Sequence, residues 1–332
     1  MLASVAGAEG ARIALFHTEL AQSGPGLLYR DILKGTPQVD SAIDRLTRAQ
    51  ADVVLLLDVD HDAQGLAARA LAARLDFPHV FAFAPNSGVL RGFDLDGDGR
   101  VDEPEDALGY GEFTGQGGMV VLSRWPVLTD KAQDFSGLIW RDLPWATLPK
   151  GVFPPKVAAM LPLVSTGHWV VPVALPNGQT LSLLAFHATP PAFDGPEDRN
   201  GMRNADQLRF WGRYLADTPP AVPFVLIGDA NLDPDKGDGR REAIQSLLAN
   251  PALQDPFATL PDRDSVDWSD IDLGRMRVDY ILPDARLTVT DRGMVWPDPG
   301  DTDASRHALL WVDIALPPVE PRPVLEFPAA NE

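Results

Sequence analysis

Carboxylate, imidazole and guanidinium side chains recur in short stretches of this chain, each placed at the end or the start of an apolar run. In order they are Phe16-His17-Thr18-Glu19-Leu20, Leu57-Asp58-Val59-Asp60, Gly118-Met-Val-Val-Leu-Ser-Arg124, His187-Ala-Thr-Pro190, Gly228-Asp-Ala-Asn231, Val278-Asp-Tyr-Ile281 and Ser305-Arg-His307. Three of the six histidines fall inside these stretches, more clustering than scattered core histidines would produce. Such groups can do chemistry together. A carboxylate holds a hard divalent cation or takes a proton from water, and an imidazole donates to developing negative charge.

A second pattern has ligand spacing. Asp94-Leu-Asp-Gly-Asp-Gly-Arg-Val-Asp-Glu-Pro-Glu105 satisfies D-x-D-x-D-G-x5-E in full. Asp94, Asp96 and Asp98 stand at loop positions one, three and five, and Gly99 makes the turn at six. Arg100 offers its carbonyl at seven, Asp102 acts through water at nine, and Glu105 gives two oxygens at twelve. Hard oxygen ligands at that spacing predict a calcium loop of EF-hand type, inserted at about residues 86–116. No flanking helices are evident, so a lone loop with a structural role, pinning a long excursion, is expected.

These residues need a scaffold. Residues 12–16, 53–57, 77–83 and 118–122 read as strands, the second apolar throughout as in a strand buried on both faces. Thr36-Pro37 reads as a cap and first position of a helix carrying Val39, Ile43 and Leu46 on one face. A further helix is expected over 63–75. Residues 169–174 and 180–186 flank Pro176-Asn177-Gly178 as a β-hairpin, with Pro172 favouring an edge position. Helices are expected over 203–216 and 240–248, and strands over 224–227, 277–282 and 309–314. The proline-dense stretch 139–162 and the tail after residue 317 read as irregular. Hairpins mixed with helical crossovers predict one mixed α/β domain spanning 1–332, with its chemistry at strand ends.

The chain has 332 residues, 45% of them hydrophobic, enough for a sizeable core. With no cysteine, disulfide frameworks, zinc–thiolate sites and thiol nucleophiles are excluded. The net charge of −19 opposes a long polyanionic partner, although acidity also serves solubility. A small phosphorylated substrate is therefore expected ahead of nucleic acid. No apolar run is long enough to cross a bilayer. The N-terminal stretch lacks a signal-peptide pattern. The calcium loop and the absence of cysteine favour a periplasmic or extracellular location over a cytoplasmic one.

The order of the motifs resembles the endonuclease/exonuclease/phosphatase superfamily of metal-dependent phosphoesterases over residues 12–314. GDAN after an apolar strand, HATP before it and VDYI after it are its most specific parts. The resemblance implies a four-layer sandwich of two packed mixed β-sheets flanked by helices. It also implies a Mg²⁺ or Mn²⁺ ion at the active site. Hydrolysis of a phosphate ester needs a cation for the phosphoryl oxygens, a base for water and donors aimed at developing charge. On that resemblance Asp58 and Glu19 hold the metal, and Asp229 is the general base. Asn231 holds phosphate or positions the base, Asp279 and His307 form a carboxylate–imidazole pair, and His187 is a second imidazole donor. Arg199 and Arg203, which follow the HATP stretch, read either as phosphate contacts or as part of a capped loop entering the next helix.

Three positions depart from the family's pattern. His17 replaces the usual Asn, Asp58 shortens the usual Glu, and Arg306 replaces the Asp before the last histidine. Arg306 then either binds phosphate directly, with His17 and Asp58 favouring Mn²⁺ or another imidazole-tolerant ion, or the site is weakened. The leading expectation is hydrolysis of a small or lipid-like phosphomonoester or phosphodiester. The rivals are a nuclease of the same superfamily and a calcium-stabilised binding protein with a degenerate site.

Overall fold

The computed structural model of the chain describes residues 10–316, so the tail after residue 317 and the start read for a leader lie outside it. In chain order the strands are β1 (Gly10–His17), β2 (Val53–Val59), β3 (His79–Phe81), β4 (Gly118–Ser123), β5 (Gln133–Asp134), β6 (Gly167–Ala174), β7 (Thr180–His187), β8 (Phe224–Asp229), β9 (Val266–Trp268), β10 (Gly274–Met276), β11 (Asp279–Pro283), β12 (Thr288–Val295) and β13 (Leu309–Ala315). The helices are α1 (Leu27–Lys34), α2 (Pro37–Ala49), α3 (Leu66–Arg74), α4 (Pro155–Ala158), α5 (Arg199–Asp217) and α6 (Glu242–Leu248).

One sheet has six strands in the order β12-β13-β1-β2-β4-β3, and the other has five in the order β11-β8-β7-β6-β5. Both are mixed. β1 runs parallel to β2 and antiparallel to β13. β8 runs parallel to β7 and antiparallel to β11. Period-two alternation sorts the side chains into layers. Ile13 and Leu15 of β1 join Ala185, Ile227 and Ile281 in the core between the sheets. Ala14 and Phe16 face the other way, against Leu28, Val39 and Leu71 of α1, α2 and α3. On the far side Phe186, Leu226 and Tyr280 pack against Leu208 and Trp211 of α5 and Ile244 of α6. The result is helices, sheet, sheet, helices: the four-layer sandwich expected above. No helix among the described residues is long and apolar enough to cross a membrane.

The structure adds elements that periodicity did not signal. α1 is short and bracketed by Gly26 and Gly35, both left-handed. β12 is a half-buried edge strand, with little apolar alternation to announce it. The helix expected over 63–75 starts only at Leu66, because the Asp62 carboxylate accepts the Leu66 and Ala67 amides at 2.8 and 3.0 Å and fixes the first turn there. The proline-dense stretch contains the 3-10 turn Trp140–Asp142 and the single turn α4, and otherwise has the irregular path expected of it.

Because β1–β2 and β7–β8 are parallel pairs, the C-terminal ends of all four strands lie at one end of their sheets. The antiparallel partners β11 and β13 begin there. Gly228 lies one residue before the end of β8 and lets β7 approach: a Cβ there would sit 2.0 Å from the Phe186 carbonyl oxygen. Gly228→Ala is expected to destabilise the fold by about 3 kcal/mol or more, since the obstacle is backbone and cannot rotate away. Urea denaturation of the variant checks this, and a midpoint equal to that of the wild type would contradict it.

Candidate active site

Register places three functional side chains in a row. Asp229, the last residue of β8, pairs with His187 of β7 on one side and Asp279 of β11 on the other. Each lies two residues along from a residue of the inter-sheet core, so all three point toward the opposing sheet. From that sheet His17, two residues past Leu15, reaches back. Its Nδ1 lies 2.9 Å from Asp229 Oδ2. His187 Nε2 lies 3.9 Å from the same oxygen. His307 comes from the turn before β13, stacks on His17 with centroids 4.1 Å apart, and bonds Asp279 Oδ2 through Nδ1 at 2.8 Å.

The cluster is held from behind. Asp229 is fully buried, and its Oδ1 accepts the Asn231 amide at 2.6 Å. Asn231 has a left-handed backbone and donates its side-chain amide to the Ala188 carbonyl at 3.0 Å. Ser265 donates to Asp279 Oδ2 at 2.8 Å, and the Trp268 ring meets His307 edge-on at 5.7 Å. Neither Ser265 nor Trp268 carried a sequence signal, since both lie in the β9–β10 hairpin that periodicity did not reveal. Burial, joined by the nearby charge of His17, outweighs the Asp229 carboxylate and pushes His187 down to about 3, so it is a neutral imidazole.

Asp58 arrives by a different route. The β2–β4 register slips between Leu57 and Val59, and Asp58 takes the left-handed conformation with φ 59°. Such a bulge re-aims a side chain at the end of a strand. Burial raises the Asp58 carboxyl, an effect partly offset by the nearby His17.

Glu19 and Arg306 are not independent groups. The Arg306 backbone amide, Nε and Nη2 all donate to the Glu19 carboxylate, at 2.8, 3.0 and 2.6 Å. Glu19, expected at the metal, and Arg306, expected at the phosphate, are thus paired with each other.

Residues 21–307 match the Endonuclease/Exonuclease/phosphatase family. The chain belongs to this family. Its members are hydrolases acting on phosphate esters. No curated protein sequence matches the chain. Among solved structures, the endonuclease/exonuclease/phosphatase from Beutenbergia cavernae is 19% identical with a TM-score of 0.59, covering 93% of this chain and 72% of that one. A family protein from Leptotrichia buccalis is 17% identical at a TM-score of 0.53, covering 92% and 100%. The human Nocturnin catalytic domain, solved with a bound sulfate anion, is 14% identical at 0.54, covering 92% and 94%. At these identities the likeness establishes the fold.

Two of the expected phosphate contacts lie elsewhere in this family member. The buried Arg203 guanidinium is spent on the carbonyls of Leu163, Leu108 and Pro162 at 2.9, 2.6 and 2.8 Å, so it braces the chain around α5. Arg199 leans on Glu197 and on the Leu95 carbonyl, beside the acidic loop. In that loop Asp94 and Asp96 approach each other, but the third carboxylate is Asp106. Glu105 is exposed, because the turn Pro104–Asp106, closed by reciprocal bonds with Glu103, brings Asp106 inward. Asp98 accepts the Arg100 amide at 2.8 Å, and Asp102 is exposed with a left-handed backbone.

The charge state of His17 has a consequence for stability. Burial works against its charge. The hydrogen bond to Asp229 and the charges of Asp229, Asp58 and Asp279 outweigh it and raise the imidazole to about 9. A histidine raised above its ordinary value of about 6.5 stabilises the fold fully below that pH, and the contribution is lost as pH rises through the folded value. The metal-free protein is therefore expected to lose stability between about pH 6.5 and about pH 9, and His17→Asn to flatten that slope. Denaturation midpoints across the range measure it; parallel slopes in the two proteins would rule the coupling out.

Proposed function

We propose that the chain hydrolyses a phosphate ester of a small or lipid-like molecule, monoester or diester, with the help of a divalent ion. The supporting observation is the convergence of His17, Asp229, His187, Asp279 and His307 from both sheets onto one strand-end cluster. Donor atoms of His17, Asp229, Asp279 and His307 all lie within 4.8 Å of one another. Asp279 Oδ1 and His187 Nδ1 are buried without a partner. Unpaired buried polar atoms are costly, and such atoms commonly mark a missing ion or water. Imidazole mixed with carboxylate suits Mn²⁺ or another imidazole-tolerant ion better than Mg²⁺. His17 and Asp58, whose charges act on each other, would hold the ion. Bound there, the ion would polarise a phosphoryl oxygen.

The protein's own groups supply the rest. Asp229 takes the proton of the attacking water, its carboxylate oriented by the Asn231 amide and His17. His307, fixed by Asp279, and the neutral N–H of His187 donate to the charge that develops on phosphorus-bound oxygen. Arg306 meets the phosphate with its charge already partly matched by Glu19. The acidity of the chain favours a small or neutral-tailed ester over nucleic acid. We also propose that the acidic loop binds Ca²⁺ through Asp94, Asp96 and Asp98, with Asp106 in place of the expected Glu105.

Chromogenic phosphomonoester and bis-phosphodiester assays with Mg²⁺, Mn²⁺ and Ca²⁺ test the catalytic reading. Metal-dependent turnover is expected, with Asp229→Asn and His307→Ala each lowering kcat about 100-fold or more. Nicking of plasmid DNA without small-ester turnover would favour the nuclease reading, and no turnover of any ester would favour a binding protein. For the loop, Ca²⁺ is expected to raise the melting temperature of the wild type and of Glu105→Gln but not of Asp106→Asn; equal shifts in all three would remove Asp106 from the site.

A further inference from the structure

One buried charge behind the cluster has no part in the chemistry above. Arg45 lies on the inward face of α2 with Val39, Ala42, Leu46 and Ala49, and is 1% exposed. Its Nη1 donates to the carbonyls of Ser305 and His307, at 3.2 and 2.9 Å. Its guanidinium carbon lies 4.4 Å from the centroid of the Phe16 ring, the residue before His17. Nε and Nη2 are buried with no partner. Burial pulls its pKa down to about 10, so it remains a cation at neutral pH.

An unmatched buried guanidinium is costly, and an apolar side chain of similar length would fill the space without that cost. What only a multi-donor group can do here is hold two carbonyls two residues apart. Those carbonyls bracket Arg306. The same turn is tied to β1 by Ser305, whose hydroxyl donates to the His17 carbonyl at 2.7 Å and accepts the His307 amide at 3.1 Å. It is tied to the second sheet through His307 and Asp279. Arg45 closes the remaining side, from the helix layer.

We infer that Arg45 is a positioning residue: it holds the 305–307 turn so that His307 keeps its place between His17 and Asp279. This rests on the proposed hydrolysis only for its kinetic consequence. With the turn released, the His307 imidazole loses its fixed distance to the phosphoryl group while the groups that bind substrate from the second sheet stay in place. The loss falls on kcat more than on KM, since a small misplacement of a reacting group lowers the rate strongly.

The test is Arg45→Met, with Arg45→Lys as a second variant, each alone and combined with His307→Ala. In the Met variant kcat is expected to fall about 10- to 100-fold with KM changed less than about 3-fold. The same change in the His307→Ala background is expected to have almost no further effect, because the group acted upon is gone. Imidazole NMR signals of His307 should shift while those of the distant, buried His168 stay put. Unmoved His307 signals, or an equal fall of kcat in both backgrounds, overturns the assignment. Should the Met variant fail to fold, the same two readings are taken on the Lys variant. If the wild type hydrolyses no ester, the proposed function falls, and the His307 signals still decide the role of Arg45.

Discussion

The contact on which the site depends is the hydrogen bond between His17 and Asp229, one residue from each sheet. It spans the far end of the sandwich, where the apolar core between the sheets stops and polar side chains take over. A buried carboxylate is tolerated there because it is matched on both oxygens, by the His17 ring and the Asn231 amide. Without a partner from the opposing sheet Asp229 would be an uncompensated charge at the edge of a core, and the polar seam between the sheets would be reduced to the bond between His307 and Asp279.

Charge around this seam is arranged in pairs and not scattered. His307 is matched by Asp279, and Arg306 by Glu19. Arg45 has no carboxylate partner: it is a cation enclosed by the fold, with Nη1 directed at two carbonyls. The pairing of Glu19 with Arg306 is a rewiring relative to the family's pattern. A position that resembles a metal-side Asp has become an Arg, and a carboxylate from the end of β1 neutralises it. With Glu19 engaged by Arg306, the donor atoms that converge across the seam are those of His17, Asp229, Asp279 and His307.

The long excursion between β3 and β4 is organised by its own acidic residues. Asp94 accepts the Gly97 and Gly99 amides at 2.6 and 3.0 Å, and Asp106 accepts the Leu95 amide at 2.7 Å. Leu95 is buried against the helical side of the second sheet, so the loop is anchored through an apolar residue between its charged ones. Arg199, at the start of α5, reaches the same place. The loop and the α5 entry thus form one structural neighbourhood.

Much of the architecture was legible in the chain itself. Apolar runs such as 53–57 read as strands buried on both faces, and the motif order led to the family and to His187, Asp229, Asn231, Asp279 and His307. Strand-end position follows from local pattern, because a strand's side-chain period is fixed and its end is marked by a change to polar residues. Partner choice does not follow from local pattern. That Glu19 would meet Arg306, that Arg203 would turn inward to three carbonyls, and that Asp106 and not Glu105 would face Asp94 and Asp96 depend on contacts across long sequence separations or on the pitch of a single turn. Arg45 left one trace, a charged residue in the buried stripe of α2, but only the folded chain shows that the 305–307 turn lies above it. Sequence determined which residues could do chemistry, and tertiary packing decided which of them remain free to do it, because an ionised group in a low-dielectric interior is claimed by whichever partner the fold brings within reach.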